Sequence, residues 1–550
     1  MQNQFLPLKI FICLILLQCL SSQVEDISGD YNKYISFHWK GAITSHSIII
    51  KAFPQKSELQ ANPFSAFLFV YKRVNNKEIQ LIQTFALNFS PGQNSVAEVQ
   101  INSLAPKTTY YYSYLFSHSN ILQKNDFIQY YEHNKVTEFT FRTLELALNP
   151  MNFTFGAASC ADTGSTSSVF LNLKDENLTF FLHMGDIHYE NIDTDNITKF
   201  YEGYYKTFQS PSQKQFFQSV PVFYIWDDHD FGADNSNGKS PTKDAVHQAY
   251  KEFVPYGPLK AKFPVDDFEA FPIEATKSIT ESDQYTLSYE SDGPYGIFRS
   301  FIVGRCLFIV MDLRSFKDVI PNDILGKEQK VWLENQFKFV SLNERIKVVF
   351  LVSTIFWIDN KDEGEWSDYL QTQTLIANWA KKYVKNAGKQ IMVLSGDTHA
   401  MAFDDGRNNY IGEFPVLQAA PLDSFPICSG GPYSHGVSVD RGQYSVIEVQ
   451  DLPNDNVCIK IHLKKLGASL IQYDTCYPNS YPGTEGVPCP KLIVGDAKGY
   501  GWIILIIVGV LIGAAVLVWI VWKCLKRYKE RKFLKKEKPL IELTESFVNR

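Results

Sequence analysis

Strand-like apolar segments alternate with helix-like spans between residues 149 and 475, and this pattern limits the possible fold more than any other feature. The strand candidates cover residues 153–158, 178–184, 220–226, 306–311, 348–353 and 391–394. The helix candidates cover residues 166–174, 196–218, 327–342 and 371–386. The alternation predicts a layered α/β domain of sheets and helices.

Most of these strand candidates end in residues that can bind metals or carry protons. The endings are Ser159-Cys160-Ala161-Asp162, GDIHY at 185–189, WDDHD at 226–230, Asp312-Leu313-Arg314 and GDTH at 396–399. Because ligands bind outside the carboxyl ends of the strands in an open α/β sheet, these endings predict one shared site. Four ionisable residues in a row, as in DDHD, resist burial unless a cation or hydrogen bonds neutralise them.

The donor types at these endings suit more than one cation. Carboxylates, imidazoles, a phenol and a thiol are too many ligands for one tetrahedral zinc ion, and they fit two or more hard or borderline cations. Two metals about 3.5–4 Å apart can stabilise the attacking and leaving oxygens of an in-line displacement. The sequence therefore predicts hydrolysis of phosphate monoesters or diesters by a metal-bound hydroxide.

The segment before residue 149 has a different pattern. Short strand-like runs separated by turn signals predict an all-β sandwich over residues 23–148. Within it, LAPKTTYYYSY at 104–114 resembles the turn and strand of fibronectin type III-like domains. We expect this sandwich to be a spacer or a docking module.

Both ends of the chain carry apolar segments. Residues 1–22, with Lys9 before an apolar run, predict a secretory signal peptide. Residues 502–522 are uncharged and predict one transmembrane helix, preceded by a linker at 476–501 and followed by a basic cytosolic tail at 523–550. We expect a type I membrane protein whose catalytic domain is extracellular or luminal, at the plasma membrane or in an endolysosomal or vacuolar compartment.

Cysteines and sequons agree with this expected compartment. The predicted ectodomain contains six cysteines: Cys160, Cys306, Cys428, Cys458, Cys476 and Cys489. The last four could form two disulfides, with Cys476–Cys489 favoured by proximity, although spacing does not determine the connectivity. Sequons predict a glycoprotein, and they lie at Asn88, Asn152, Asn177 and Asn196.

Charge bears on the possible partners. The net charge is −6, and basic residues are concentrated after Trp522, so the ectodomain is more acidic than the whole chain. Since nucleic-acid binding is mostly electrostatic, we expect no nucleic-acid partner. The expected partner is a phosphate-ester substrate, and the sequence leaves the oligomeric state open.

The motifs GDIHY, WDDHD and GDTH, in this order and at strand ends, resemble the signature of PhoD-like alkaline phosphatases within the calcineurin-like metallophosphoesterase superfamily. Further matches are SCAD at 159–162, YGIFRSFIVG before Cys306, and MDLRS at 311–315. The resemblance covers residues 39–472 and implies a PhoD-like metallophosphatase domain over 149–475.

The resemblance also implies a metal-binding role for individual residues. It implies two or more ions, iron with calcium or another divalent pair, on seven ligands: Cys160, Asp186, Tyr189, Asp228, Asn235, Asp397 and His399. Cys160 and Tyr189 would bind a trivalent iron-like ion, and Asp186 would bridge to the second ion. Asp234 is the alternative to Asn235, and Cys160 could instead be an ordinary buried thiol.

Three further residues are predicted to act in catalysis. His229 could protonate the leaving oxygen or hold the phosphoryl group, and Asp230 would orient it. Arg314 is expected to grip a phosphate through its planar guanidinium group, with pairing to Asp312 as an equal alternative.

Other functions, the role of one insertion and one departure from the family pattern stay open at the level of sequence. The alternatives are a phospholipase-like or nucleotide phosphodiesterase, and a non-catalytic cell-surface binding protein on a phosphatase scaffold. The segment 256–295 predicts either a lid or a plain surface excursion. The stretch WSDYLQTQTL at 366–375 lacks the Pro and the Glu-Arg pair of the family pattern, so the substrate contacts should differ there.

Overall fold

The computed structural model describes residues 27–489, apart from six internal segments, together with Trp519, Trp522, Lys523 and Leu525. The segments left out are 62–63, 76–77, 90–95, 118–123, 257–295 and 360–364. The predicted signal peptide, nearly all of the 256–295 insertion and most of the predicted linker end, membrane segment and tail therefore lie outside the described residues.

The secondary structure of the described residues agrees with the predicted alternation. The strands are β1 (Ile27–Ser28), β2 (Ile35–Gly41), β3 (Ile48–Pro54), β4 (Ser65–Arg73), β5 (Ile79–Leu87), β6 (Ala97–Ile101), β7 (Thr109–Ser117), β8 (Phe139–Arg142), β9 (Phe153–Ala158), β10 (Phe180–Met184), β11 (Pro221–Ile225), β12 (Arg299–Val303), β13 (Cys306–Val310), β14 (Val348–Ser353), β15 (Gln390–Ser395), β16 (Met401–Asp404), β17 (Val416–Ala419), β18 (Val437–Ser438), β19 (Gln443–Asp451), β20 (Val457–Lys465) and β21 (Ala468–Asp474). The α-helices are α1 (Tyr31–Tyr34), α2 (Lys56–Ala61), α3 (Lys124–His133), α4 (Val169–Asp175), α5 (Ile197–Gln209), α6 (Pro211–Ser219), α7 (Asp228–Phe231), α8 (Lys243–Phe253), α9 (Gly326–Leu342) and α10 (Leu370–Tyr383).

The described strands form three sheets. The largest has the order β21-β20-β19-β9-β10-β11-β2-β3-β6, and the second has the order β12-β13-β14-β15-β17-β16-β18. The third has the order β1-β7-β4-β5, with β8 also paired to β7. Strands β9, β10 and β11 are parallel, as are β13, β14, β15 and β17, so each large sheet has a parallel centre.

Phenylalanine rings fill the space between the two larger sheets. Phe155 on β9 lies 5.2 Å from Phe308 on β13 and 5.3 Å from Phe350 on β14, measured between ring centroids in edge-on contacts. Aromatic pairs prefer this geometry, and each ring also buries a large apolar area. The two sheets therefore pack face to face, with contacts between their parallel central strands.

The N-terminal strands form two packed layers, but one layer belongs to the α/β part. Strand β2 pairs in parallel with β11, with Lys40 opposite Pro221 and Gly41 opposite Val222. Strands β2, β3 and β6 therefore extend the largest sheet, and the third sheet packs against them through a shared core. A sandwich is present in this region, but its sheet continues across the predicted boundary at residue 149.

The helix predicted over 196–218 is two helices, α5 and α6. The break falls at Ser210, which is extended with φ −61° and ψ 129° and precedes Pro211 at the start of α6. Proline disfavours the helical conformation in the residue before it, which explains the break. Pro211 itself is tolerated in the first turn of the new helix.

The structure does not support the predicted transmembrane helix at 502–522. Within the described part of the chain, no helix is long and apolar enough to cross a membrane. A spanning helix needs about 20 apolar residues, whereas the longest described helix, α9, has 17 residues. Of the predicted segment itself, only Trp519 and Trp522 are described.

Four cysteines form two disulfides, Cys428–Cys489 and Cys458–Cys476. These are the four cysteines predicted to pair, but the favoured pair Cys476–Cys489 is wrong. The reason is the antiparallel register of β20 and β21, which sets Lys460 opposite Asp474 and so brings residue 458 next to residue 476. Cys160 and Cys306 are free and buried.

Candidate active site

The endings of β10 and β15 approach their neighbours so closely that only glycine fits. Gly185 has φ +96°, and a Cβ added there would lie 2.3 Å from the Cβ of Asp227. A Cβ added to Gly396 would lie 2.6 Å from Ser159 Oγ. The glycines of GDIHY and GDTH thus allow the backbone ends of β9, β10, β11 and β15 to meet.

Many predicted site residues have left-handed backbone conformations. Positive φ angles occur at Cys160 (62°), Asp186 (55°), Asn235 (59°), Asp397 (69°) and His399 (50°). Such conformations are uncommon in residues other than glycine and cluster at functional sites. Cys160, Asp186 and Asp397 each stand two residues beyond the end of a strand, namely β9, β10 and β15. The same turn therefore aims three donors toward one point.

A first group of donors surrounds one oxygen of Asp186. Cys160 Sγ lies 3.5 Å from Asp186 Oδ2, and the Tyr189 hydroxyl donates to the same oxygen at 3.0 Å. Tyr189 Oη also lies 2.8 Å from His399 Nε2. His399 Nδ1 is 2.5 Å from the carbonyl oxygen of Phe425, a contact that directs Nε2 toward the group.

A second group contains carboxylates. Ligand atoms of Asp186, Asp227, Asp228 and Asp397 all lie within 4.8 Å of one another, and the same holds for Asp186, Asp228 and His229. Cys160, Asp186 and His399 form a third set by this measure. Asp186 is common to all three sets, so it lies where a carboxylate could bridge two ions.

Buried oxygens without hydrogen-bond partners show that the donor set fits cations. Within the described residues, the buried carboxylate oxygens without a hydrogen-bond partner are Asp186 Oδ1, Asp227 Oδ2, Asp228 Oδ1 and Glu365 Oε2. A buried carboxylate oxygen that lacks a partner is energetically costly unless an ion or a ligand satisfies it. The three aspartates belong to one cluster, so a cation at this point would satisfy several of these oxygens together.

The raised pKa values of the cluster also indicate a site for cations. Burial, followed by the charge of Asp228, raises the pKa of Asp186 well above its usual range. Burial and Glu365 likewise raise the pKa of Asp397, and burial and Asp186 raise the pKa of the Cys160 thiol. These groups would hold protons by themselves, and bound cations would stabilise the ionised forms that act as ligands.

Arg314 lies among the carboxylates. Its side chain is 1% exposed, forms an ion pair with Asp227 through Nε, and places Nη2 3.5 Å from Asp228 Oδ1. Burial alone would raise the pKa of Asp228, but Arg314 and His229 hold it below its usual range. The sequence analysis predicted a grip on phosphate or a pairing with Asp312; the contact with Asp312 is made by the Arg314 backbone N–H, at 3.1 Å.

Asp230 binds backbone groups of two motifs. Its carboxylate accepts the N–H of Asp186 at 2.6 Å, of Ile187 at 2.7 Å and of Asp227 at 3.0 Å. Burial raises the pKa of Asp230 to about 7, while these N–H groups oppose the rise. The contacts hold the GDIHY and WDDHD loops together, whereas the predicted role was to orient His229.

Asn191 makes the contact with His229 that was predicted for Asp230. His229 Nδ1 lies 2.6 Å from Asn191 Oδ1, while Nε2 lies 3.4 Å from Asp234 and 3.9 Å from Asp228. The His229 ring also packs on Tyr189, with 4.2 Å between centroids. Sequence reasoning missed Asn191, although its place two residues after GDIHY was a usable signal.

Asn235 reaches the cluster through its backbone. Its N–H donates to Asp228 Oδ2 at 2.7 Å, whereas its side-chain amide donates to Asp234 at 3.2 Å. Both Asp234 and Asn235 are exposed. The structure therefore shows Asn235 as a support for Asp228, and a ligand role for either side chain stays a prediction.

Two more buried charged residues lie near the carboxylates, and sequence reasoning missed both. Burial raises the pKa of Glu365 to about 7, although Arg314 and Lys317 oppose the rise. Lys317 is buried as well, and burial and Arg314 lower its pKa. Glu365 directly precedes Trp366, whose indole N–H donates to Ser353 Oγ at the end of β14 at 3.0 Å. In the sequence, the tryptophan that directly follows Glu365 was the signal that could have identified this residue.

Comparison with known proteins relates this site to phosphatases. Residues 155–424 match the family model of PhoD-like phosphatases. A solved structure described as that of PhoD is similar with a TM-score of 0.56 at 16% identity, over 81% of this chain and 93% of that one. A purple acid phosphatase from yellow lupin (Lupinus luteus) seeds is similar with a TM-score of 0.51 at 9% identity, over 80% of this chain and 74% of that one. No curated protein matches the chain.

These matches confirm two predictions. The resemblance to PhoD-like phosphatases is confirmed by the family model, whose matched residues contain all the predicted site residues. The same family match confirms the prediction of an enzyme that hydrolyses phosphate esters. The two solved structures are too distant in sequence to show more than a shared mixed α/β fold.

Proposed function

We propose that the protein hydrolyses phosphate esters at this site with two or more bound metal ions. The observation that carries the proposal is the place of Asp186, which is shared by all three sets of donors. A carboxylate common to two sets of ligands is what a pair of ions sharing one substrate requires.

The two sides of Asp186 suit different ions. On one side, Cys160, Tyr189 and His399 offer sulfur, phenol and imidazole donors, which fit a transition metal such as iron. On the other side, Asp228 and Asp397 offer only oxygen donors, which fit a hard cation such as calcium. We therefore propose iron with calcium, and another divalent pair is the alternative.

The residues of the chain have separate tasks in this proposal. Bound ions would supply Lewis acidity and an activated water molecule. His229 is partly exposed at the surface of the cluster and would give a proton to the leaving oxygen, with Asn191 holding its Nδ1 side. Arg314 holds the carboxylates of Asp227 and Asp228 in place through charge.

We propose that this hydrolysis takes place in an extracellular or luminal compartment. Two features support the proposal: the disulfides Cys428–Cys489 and Cys458–Cys476, and the signal-like composition of residues 1–22. Mass spectrometry of the protein purified from its native source, without reduction, tests it. Free thiols at all four positions would contradict the compartment.

Substitution of Asp228 tests the proposed hydrolysis. The wild-type protein should turn over aryl phosphate, bis-aryl phosphate or both, and Asp228→Ala should lower turnover by more than about 100-fold, because removing a ligand disturbs more than removing a residue behind it. Elemental analysis should also show less bound metal in the variant. Asp244→Ala, in the exposed first turn of α8, is the matched control and should keep both properties. Undiminished turnover in a folded Asp228→Ala protein would remove Asp228 from the site.

A further inference from the structure

We propose that the aromatic ring of Phe425 and the guanidinium group of Arg441 form a rim beside the metal centre. This rim selects phosphate esters with a planar aromatic leaving group. The inference rests on the proposed hydrolysis and names its substrate class. It depends on a loop, residues 422–427, that is hydrogen-bonded to two strand ends, the one that carries Cys160 and the one that carries His399.

Backbone hydrogen bonds fix this loop at both sides. The N–H groups of Asp423 and Ser424 donate to the carbonyl oxygen of Cys160 at 3.4 and 3.3 Å, and the N–H of Ile427 donates to the carbonyl oxygen of His399 at 3.3 Å. The loop is therefore part of the framework of the site.

The Asp423 side chain adds a second attachment. Its carboxylate accepts the N–H of Asp162 at 2.9 Å and the hydroxyl of Ser165. Both partners lie in the segment between β9 and α4, which also carries Cys160. Since a loop held by five such contacts loses little conformational freedom on binding a ligand, a side chain at its tip is preorganised.

Phe425 is the side chain at that tip. Its carbonyl oxygen contacts His399 Nδ1 at 2.5 Å, so its backbone is one hydrogen bond from the first group of donors. Phe425 nevertheless is 57% exposed, and Ile427 on the same loop is 45% exposed. Covering a fixed, solvent-exposed ring with another flat apolar group is favourable, because it removes apolar surface from water.

Arg441 extends the rim with positive charge. Its guanidinium carbon lies 6.0 Å from the centroid of the Phe425 ring, and Nη1 lies 3.7 Å from Asp162 Oδ2. The side chain is 52% exposed, so it can also face an anion in solution. A phosphoryl group at the metals would then place an aromatic leaving group over Phe425, with Arg441 attracting the anionic ester.

The test compares binding of phenylphosphonate and methylphosphonate, which cannot be hydrolysed as esters, to the metal-loaded protein by calorimetry. We expect the wild-type protein to bind phenylphosphonate on the order of three- to tenfold more tightly, the effect of one aromatic contact. Phe425→Ala should abolish this preference, and Phe425→Tyr should restore it. Tyr410→Ala, which removes the ring of a residue that is 72% exposed, is the matched control and should leave the preference unchanged.

Turnover of 4-nitrophenyl phosphate, adenosine 5′-monophosphate and glycerol phosphate separates the remaining outcomes. Phe425→Ala should raise KM for the aryl ester 4-nitrophenyl phosphate relative to glycerol phosphate. A matching rise for adenosine 5′-monophosphate, an alkyl ester that carries a base, would show that the rim also accepts a nucleotide base. A wild-type protein that binds both phosphonates equally, or a variant in which kcat falls alike on all three esters, overturns the rim. A phenylphosphonate preference lost in Phe425→Ala but without turnover of any ester would instead support the rim and reject the hydrolysis.

Discussion

At the scale of the residue, the four ionisable positions of DDHD have different surroundings. Asp228 and Asp227 belong to the carboxylate cluster, His229 faces Asn191, and Asp230 faces backbone N–H groups. Sequence reasoning located the tetrad at a strand end and assigned Asp228 to the metal. It did not find that Asp230 accepts the N–H groups of Asp186 and Ile187, because these come from a motif about 40 residues earlier in the chain, and only the pairing of β10 with β11 brings them together.

Asp230→Asn tests whether Asp230 acts on the loops. We expect metal affinity or turnover to fall roughly 10- to 100-fold, as for other residues that orient ligands from behind. The physical reason is that an amide replaces one acceptor oxygen with a donor and so faces the N–H of Asp186 or Ile187 with the wrong group. The measurement is turnover together with bound metal per chain.

Bound metal distinguishes the role of Asp230 in holding the loops from a role in orienting His229. If Asp230 oriented the His229 ring, Asp230→Asn would change the pH profile of turnover and leave bound metal at the wild-type level. Asn191→Ala is the companion variant, because Asn191 is the residue in contact with His229. It should lower turnover without lowering bound metal.

At the scale of the element, β2 joins the α/β part to the third sheet with buried polar side chains. His38 lies between two hydroxyl groups, with Nδ1 2.7 Å from Tyr31 Oη and Nε2 2.8 Å from Tyr112 Oη. Lys40 donates to the carbonyl oxygen of Gln218, at the end of α6, at 2.6 Å. The sequence of β2, ISFHWKG, alternates apolar and polar residues, yet all seven positions are buried, so hydrogen bonds inside the protein satisfy its polar side chains.

Lys40→Met should change how stability depends on pH. Burial lowers the pKa of Lys40 to about 7, whereas an unfolded lysine titrates near 10.4. Between these values the unfolded state binds a proton that the folded state lacks, so this residue makes stability rise with pH from about 7 to about 10. Below that window the penalty for burying the charge is fully present.

The comparison is the free energy of unfolding of both proteins, measured by urea titration at several pH values. At pH 6.5 we expect Lys40→Met to be more stable than the wild-type protein by on the order of 1 kcal/mol, since methionine buries no charge. The advantage should shrink as the pH rises toward 10. A difference that is independent of pH would show that Lys40 is not buried as an ionisable group.

At the scale of the whole molecule, the N-terminal strands and the α/β part share one sheet and one core. Trp39 on β2 donates to the carbonyl oxygen of Phe253 at 2.8 Å, and its ring lies 4.6 Å from that of Phe208. Strand β2 also pairs with β11, the strand that ends at Trp226 and the DDHD tetrad. Removal of the N-terminal strands would expose this edge of β11.

A truncated chain that begins at residue 149 tests this dependence. We expect it to be insoluble or unfolded, because it loses the edge partner of β11 and leaves the apolar side chains of α5, α6 and α8 uncovered. Circular dichroism and size-exclusion chromatography of the truncated and longer chains provide the measurement. A soluble, cooperatively unfolding fragment would instead support two separable domains, as the sequence pattern suggested.

The sequence by itself determined the local pattern: where the strands lie, which of them end in metal-binding residues, and that the chemistry resembles that of PhoD-like phosphatases. Such information is local, since strand periodicity and motif spacing depend on neighbouring residues. Tertiary structure alone decided that Arg314 faces Asp227 and Asp228, that Cys458 pairs with Cys476, and that β2 completes the largest sheet. These contacts join distant parts of the chain, and they follow from strand order and register, which no single segment encodes.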